Sequence, residues 1–224
     1  MADKFTSLNQ NLYQYLAAHR TENDPVLAEL AAETEGLGAV SMMQIAPDQG
    51  AFITLLARAI HAKSALEVGT FTGYSAICLA RGLCPGGRLL CCDVSEEWTG
   101  IARRYWQRAN VSARIDLRLG PALDTLRTLP REACFDIAFV DADKQNYRNY
   151  YEEILARLRP NGLVLFDNVL WMGQVADPTD RDPNTVAMRE LNDFIARDER
   201  VDAVMLAVAD GLTLVRKRQP GETV

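Results

Sequence analysis

The chain predicts a doubly wound α/β fold: a mostly parallel seven-stranded sheet with helices on both faces, helical segments ahead of it and an antiparallel hairpin at its C-terminal end. Three observations carry this prediction. After Ile60, short apolar runs alternate with longer amphipathic ones, the pattern of right-handed βαβ units. The last two apolar runs are separated only by Ala209, Asp210 and Gly211, which leaves no room for a crossover helix, so they pair as a hairpin. The 224 residues are 48% hydrophobic and 24% charged, with 14 Gly and 9 Pro. That is an ordinary globular composition, and a chain of this length buries roughly 70% of its unfolded surface without disulfides or structural metal.

The elements follow in order. From Leu8 to Leu56 the pattern is helical: Leu12, Tyr15 and Leu16 stand at helical spacing, and a second run over 25–35 is terminated by Gly36 and Gly38. Strands are predicted at 64–68, 88–94, 114–119, 135–141, 162–167, 203–208 and 212–215. Helices are predicted at 74–81, 96–109, 122–129, 147–158 and 186–197. The stretch 173–184, rich in Asp and Pro, reads as a loop of the kind that covers a site. With no repeat, linker or low-complexity tract, residues 1–224 read as one domain, 1–60 being N-terminal helical segments and 61–224 the α/β core.

Charge and cysteine usage narrow the function. The chain has 24 Lys and Arg against 30 Asp and Glu, a net charge of -6, with no basic stripe to bind nucleic acid or an anionic membrane. Its five cysteines, Cys78, Cys84, Cys91, Cys92 and Cys134, lie in or beside apolar segments without C-x-x-C spacing, as reduced core cysteines do. No apolar run is long enough for a membrane span, so a soluble cytoplasmic protein is expected. His19 and His61, the only histidines, sit in helical segments without ligand-like neighbours, and Arg103, Arg104 and Arg108 read as a solvated helix face. Serine-hydrolase, zincin and P-loop motifs are missing.

In a doubly wound sheet ligands bind beyond the carboxyl ends of the strands, so polar residues there are the candidates. The stretch from Glu67 to Ser75 places Gly69 and Gly73 between a strand and a helix, where the backbone approaches a ligand and the helix start offers unpaired N–H groups. Asp93 ends the next strand, placed to accept hydrogen bonds from both hydroxyls of a ribose, so an adenosine-containing cofactor is expected. The loop lacks the G-x-G-x-x-G that admits a pyrophosphate, and the Glu67 carboxylate would repel one; a cofactor with a cationic amino-acid moiety fits better. Asp141, followed by Asp143 and Lys144, ends the fourth strand, and Asp167 with Asn168 ends the fifth. Carboxylates side by side on adjacent strands repel unless a cation or proton lies between them. Asp141, Asp167 and Asn168 offer oxygen donors only, suited to a hard divalent ion such as Mg2+, although Asp and Asn taken singly also serve as helix caps and turn residues. Lysine occurs only at Lys4, Lys63, Lys144 and Lys217, which makes the one beside these carboxylates notable.

These residues resemble the cation-dependent class I S-adenosylmethionine O-methyltransferases of the caffeoyl-CoA and catechol type, which share a Rossmann-like fold. The matching stretches are Ala46 to Gly50, Glu67 to Ser75, Gly120 to Ala122, Phe139 to Lys144 with Asn146 and Tyr147, Asp167 to Trp171, and Asp210 to Thr213. They run in the family's order over most of the chain after about Met42, which makes chance agreement remote. The resemblance implies that Glu67 and Gly69 hold the cofactor's methionine portion, Ser75 its carboxylate, Asp93 the ribose and Ala122 the adenine through its backbone, with Met43 at a further cofactor position. It implies a divalent metal, Mg2+ with Mn2+ and Ca2+ as alternatives, on Asp141, Asp167 and Asn168, with Asp141 also near the cofactor's amine. Lys144 matches the general base of the catechol enzymes, Trp171 shapes the acceptor pocket with Met172 beside it, and a homodimer is expected. Three departures bear on the acceptor: Met172 stands where plant enzymes carry Asn, Gln49 where Glu is common, and Ala209 where a glycine precedes Asp210-Gly211. The cofactor and metal positions are intact.

The implied reaction is methyl transfer to one hydroxyl of a small catechol-type acceptor. A free phenol ionises only near pH 10, and chelation of two vicinal hydroxyls by a dication lowers that value. A nucleic-acid or protein methyltransferase would need a basic surface or an Asn/Asp-Pro-Pro-aromatic motif where this chain has Asp141-Ala142-Asp143-Lys144. A nicotinamide oxidoreductase would need the pyrophosphate loop and a Tyr-x-x-x-Lys pair, also missing here. A methyltransferase of the same fold acting on a non-catechol acceptor, and a cofactor-binding module without turnover, remain as alternatives.

Overall fold

The computed structural model describes residues 6–21 and 24–222; the outermost residues of the expected domain, 1–5, 223 and 224, and residues 22 and 23 lie outside it. Three helices come first: α1 (Gln10–Ala18), α2 (Pro25–Glu35) and α3 (Pro47–Ala59), with a 3-10 stretch, Gly38–Met43, between the last two. The alternating part follows as β1 (Ser64–Val68), α4 (Tyr74–Gly82), β2 (Arg88–Asp93), α5 (Glu96–Arg108), β3 (Ile115–Leu119), α6 (Ala122–Thr128), β4 (Phe135–Val140), α7 (Tyr147–Arg157) and β5 (Leu158–Asp167). The chain closes with α8 (Pro183–Ile195), β6 (Val201–Leu206) and β7 (Leu212–Lys217).

The seven strands form one sheet in the order β3-β2-β1-β4-β5-β7-β6. β1 to β5 pair in parallel, whereas β7 runs antiparallel to both β5 and β6. The expected hairpin is present, and its returning strand inserts between β5 and β6, leaving β6 at the edge.

Alternation along the strands divides the interior. Ala65, Ile137 and Phe139 face a core with Leu30 of α2, Ile53 of α3, Ile77 of α4 and Trp106 of α5, whereas Leu66, Ala138 and Val140 face Leu126 of α6, Ile154 of α7 and Leu191 of α8. The sheet is therefore covered on both faces, as a parallel sheet requires.

Local chemistry explains where several elements start. Asp24 caps α2, its Oδ1 accepting from the N–H groups of Val26 and Leu27, and Pro25 occupies the first helical position. Ser95 caps α5 ahead of Glu96 and Glu97, whose charges suit the positive end of the helix. α8 begins at Pro183, three residues before the expected 186, because Asp182 accepts from Asn184 N and Thr185 N and Pro183 needs no donor partner at a helix start. The expected 173–184 loop is correspondingly shorter, and its first residues belong to a kinked Trp171–Ala176 segment whose Met172 and Gly173 are non-helical.

Three further expectations are corrected. β5 starts at Leu158, directly after α7, rather than at 162. His61 lies past the end of α3 in a left-handed turn, φ 53°, rather than in a helix. Arg104 and Arg108 are not merely solvated: they pair with Glu33 and Glu29 and so tie α5 to α2.

Candidate active site

β1 lies between β2 and β4, and the helices that follow β1 and β4, α4 and α7, pack on opposite faces of the sheet. The chain thus diverges at the carboxyl ends of these two strands and leaves a crevice there.

Glu67 is the charged residue of β1 and is wholly buried. Its Oε2 accepts the Thr70 hydroxyl at 2.8 Å and the Cys91 thiol at 3.4 Å, while Oε1 has no hydrogen-bond partner of normal geometry among the described residues. Burial raises its pKa to about 7, the Ser75 and Thr70 hydroxyls and the Cys91 thiol opposing the rise and the Asp93 charge adding to it. A buried carboxylate with an orphan oxygen is suited to a cationic or hydrogen-donating ligand.

The glycine turn is built around this carboxylate. Gly69 has φ 87°, donates its N–H to Cys92 O at 2.9 Å, and lies so close to the end of β4 that a Cβ would stand 2.0 Å from Asp141 O. Gly73, also at φ 87°, precedes α4 and provides no side-chain cap, and Ser75 lies in the opening turn of that helix. Gly69→Ala combines left-handed strain with a backbone collision that only movement of Asp141 relieves. We expect it to cost more than about 2 kcal/mol, lowering the melting temperature by roughly 5 °C or more, with loss of cofactor binding; an unchanged melting curve would refute the close approach.

Asp93 does more than the sequence suggested. Its Oδ2 accepts from the N–H groups of Thr70 and Phe71, each at 2.8 Å, and its Oδ1 from Ser95 N at 2.8 Å. The carboxylate expected to meet a ribose therefore also suspends the glycine turn. Ala122, buried as the first residue of α6, follows Gly120, whose N–H is bonded to Asp93 O at 2.9 Å. Met43 ends the first 3-10 stretch and is 40% exposed.

The second half of the site lies across β4 and β5. Lys144, 8% exposed, donates from Nζ to Asp141 Oδ1 at 2.9 Å, to Asn168 Oδ1 at 2.7 Å and to the Tyr147 hydroxyl at 2.6 Å. Three acceptors around one nitrogen identify an ammonium with each proton engaged. Asp167, 2% exposed, has its pKa raised to about 7 by burial and then by the Asp141 charge, with Lys144 and Gln49 opposing. The Gln49 side chain is buried and its amide nitrogen makes no hydrogen bond of normal geometry, so its influence on Asp167 is that of a nearby dipole. Burial, followed by the charges of Asp141 and Asp167, also holds the Tyr147 phenol well above its ordinary range.

Among the described residues no cluster of three or more His, Cys, Asp or Glu could hold a metal; the oxygen set here is two carboxylates and an amide. The ring of Trp171 lies 5.9 Å from Lys144 Nζ. Trp171, Met172 and Gly173 form a consecutive left-handed run, φ 47°, 54° and 83°, pinned by Asp210 in the β6–β7 loop, which accepts Met172 N at 2.7 Å and Leu170 N at 3.1 Å. Met172 is 78% exposed.

The sequence profile described as O-methyltransferase matches residues 17–218. The chain belongs to that family. It is 43% identical over 210 residues to the catechol O-methyltransferase domain-containing protein 1 of Mus musculus, covering 92% of this chain and 79% of that one. It is 36% identical over 223 residues to a caffeoyl-CoA O-methyltransferase of Eucalyptus gunnii, covering 93% and 88%. The crystal structure of an O-methyltransferase from Bacillus cereus in complex with SAH superimposes with a TM-score of 0.84 at 36% identity, covering 93% of this chain and 97% of that one.

Four further residues join the site through contacts that sequence reasoning does not assign: Thr70 and Cys91 on Glu67, Gln49 beside Asp167, and Tyr147 on Lys144. Thr70 and Tyr147 carry a local signal, each standing three residues after its partner. Cys91 and Gln49 depend on contacts between segments distant in sequence.

Proposed function

We propose that this chain is an S-adenosylmethionine- and divalent-metal-dependent O-methyltransferase that methylates one hydroxyl of a small catechol-type acceptor. On this reading it works as a single domain over 1–224 and as a cytoplasmic homodimer. The observation that carries the reading is the pair Asp141 and buried Asp167 at adjacent strand ends, completed by Asn168, with Lys144 Nζ bridging Asp141 and Asn168. Such an oxygen-only, net anionic set fits a hard dication, Mg2+ before Mn2+ or Ca2+.

On the cofactor side, Glu67, with its orphan Oε1, and Asp141 take the cationic amino-acid end of S-adenosylmethionine. Gly69 lets the backbone approach it, and Ser75 at the start of α4 takes its carboxylate. Asp93 accepts from the ribose, Ala122 borders the adenine, and Met43 closes the cofactor from the N-terminal side. Asp141, Asp167 and Asn168 hold the metal, whose charge makes a chelated catechol hydroxyl acidic. Lys144, as an ammonium, stabilises the anion that this hydroxyl leaves and takes its proton only after releasing one of its own, and Trp171 and Met172 line the acceptor's path. The new O–CH3 bond forms as the S–CH3 bond breaks, the electron pair staying on sulfur, so the remaining task is alignment.

The supporting features for assembly and location are separate. α1 buries none of its side chains, and Tyr13, Tyr15 and Leu16, with Leu55 of α3, leave an apolar surface suited to a second copy. The five cysteines are free, as in a reducing compartment, and among the described residues no helix is long and apolar enough to cross a membrane. The test of substrate class is to compare a catechol with its monohydroxy analogue in the presence of Mg2+. We expect kcat/KM to favour the catechol by about a hundredfold or more; equal values would overturn chelation as the basis of selectivity.

A further inference from the structure

We infer that Tyr147 is the positioning residue for Lys144, the one partner that holds the ammonium in place once a metal ion occupies the site. This rests on the metal-dependent reading above. Lys144 Nζ has three acceptors, and two of them, Asp141 Oδ1 and Asn168 Oδ1, are oxygens assigned to the metal. A dication held by these residues would weaken their oxygens as acceptors and repel the ammonium. The third acceptor, the Tyr147 hydroxyl at 2.6 Å, is not a metal ligand and keeps its place.

Its orientation is set by the strands. The hydroxyl has two carbonyl acceptors, Val140 O at 3.2 Å and Asp167 O at 3.3 Å. Its single proton is therefore directed at the ends of β4 and β5, and its lone pairs remain for Nζ. The ring is wholly buried, packed 6.5 Å from the Tyr150 ring and 5.8 Å from the Phe166 ring between centroids, so the acceptor has no room to swing. Because Val140 precedes Asp141 and Asp167 precedes Asn168, the hydroxyl references Lys144 to the same two strand ends that carry the metal oxygens.

The test is a double-mutant cycle with Tyr147→Phe and Lys144→Met, measuring kcat, KM for S-adenosylmethionine and the pH profile with saturating Mg2+. Tyr147→Phe is expected to lower kcat about tenfold, leave the cofactor KM unchanged and shift the pH profile. In the Lys144→Met background it is expected to change kcat by less than about twofold. Additive losses, or a raised cofactor KM, would mean that Tyr147 merely braces the strands and would overturn the inference. Full turnover by Lys144→Met would instead overturn the role given to Lys144, and the inference with it.

Should Tyr147→Phe fail to fold, the wild-type protein decides by lysine-selective 15N NMR, its four lysines making assignment tractable. The Lys144 ammonium protons are expected to stay protected from exchange when Mg2+ is added. Fast exchange in the Mg2+-loaded protein would show that no partner remains.

Discussion

Exhaustive treatment with EDTA is expected to lower turnover of a catechol about a thousandfold, and added Mg2+ to restore it. A free phenol with a pKa near 10 is ionised to about one part in a thousand at neutral pH, and chelation by a dication lowers that pKa. Asp167 shows how strongly the site calls for positive charge: burial, followed by the charge of Asp141, raises it to about 7 even with Lys144 beside it. Asp167→Asn is expected to reproduce the loss by weakening metal affinity, read by direct Mn2+ titration. In both cases S-adenosylmethionine affinity, measured by calorimetry, is expected to change little, because Glu67 and Asp93 lie on the other side of the crevice's strand pair. Undiminished turnover after chelation would remove the metal from the mechanism.

Glu67→Gln is expected to abolish most cofactor binding while flattening the pH dependence of stability. The pKa of Glu67 is raised from 4.5 to about 7 by burial. A raised carboxyl contributes stability that is fully present below its unfolded value and is lost as pH rises through the folded value. The wild-type protein therefore loses stability between about pH 4.5 and 7, by about 3 kcal/mol from this group when the shift is converted directly. The glutamine variant lacks that slope and keeps only the similar one from Asp167. The cofactor responds in the opposite sense: a cationic amine needs the carboxylate ionised, so wild-type affinity rises with pH through about 7 and the variant's stays flat. Loss of a charged hydrogen bond in a buried site weakens binding by roughly a hundredfold. Denaturation curves of the ligand-free proteins at pH 5 and pH 8, with calorimetry at the same values, test both halves. Equal slopes in the two proteins would show that Glu67 is ionised in the free enzyme.

Most of this site was legible in one dimension. The residues that end the strands, Glu67, Asp93, Asp141 and Asp167, were recognisable because strand boundaries are set by short-range alternation and turn chemistry, and doubly wound folds bind ligands at those ends. The coupling of Gly69 to Asp141 was not legible, since it depends on β1 and β4, which are distant in sequence, becoming neighbours. The start of α8 is set by a local signal, Asp182 followed by Pro183, whereas the early start of β5 is set by pairing of Leu158 with Phe135 across the sheet.

What the sequence determined by itself is the set of elements, the hairpin at the end of the sheet and the types of chemistry at each strand terminus. Each follows from periodicity, capping and spacing within a few residues. What only the tertiary structure decided is how those groups act on one another. The insertion of β7 between β5 and β6 brings Asp210 onto the Trp171–Gly173 turn, and the β4–β5 pairing brings Asp141, Asn168 and Tyr147 around the Lys144 nitrogen. Burial of Glu67 and Asp167 moves both carboxylates toward neutrality. These outcomes depend on which distant segments pack together and on the water they exclude, and electrostatic energies follow distance and desolvation rather than position along the chain.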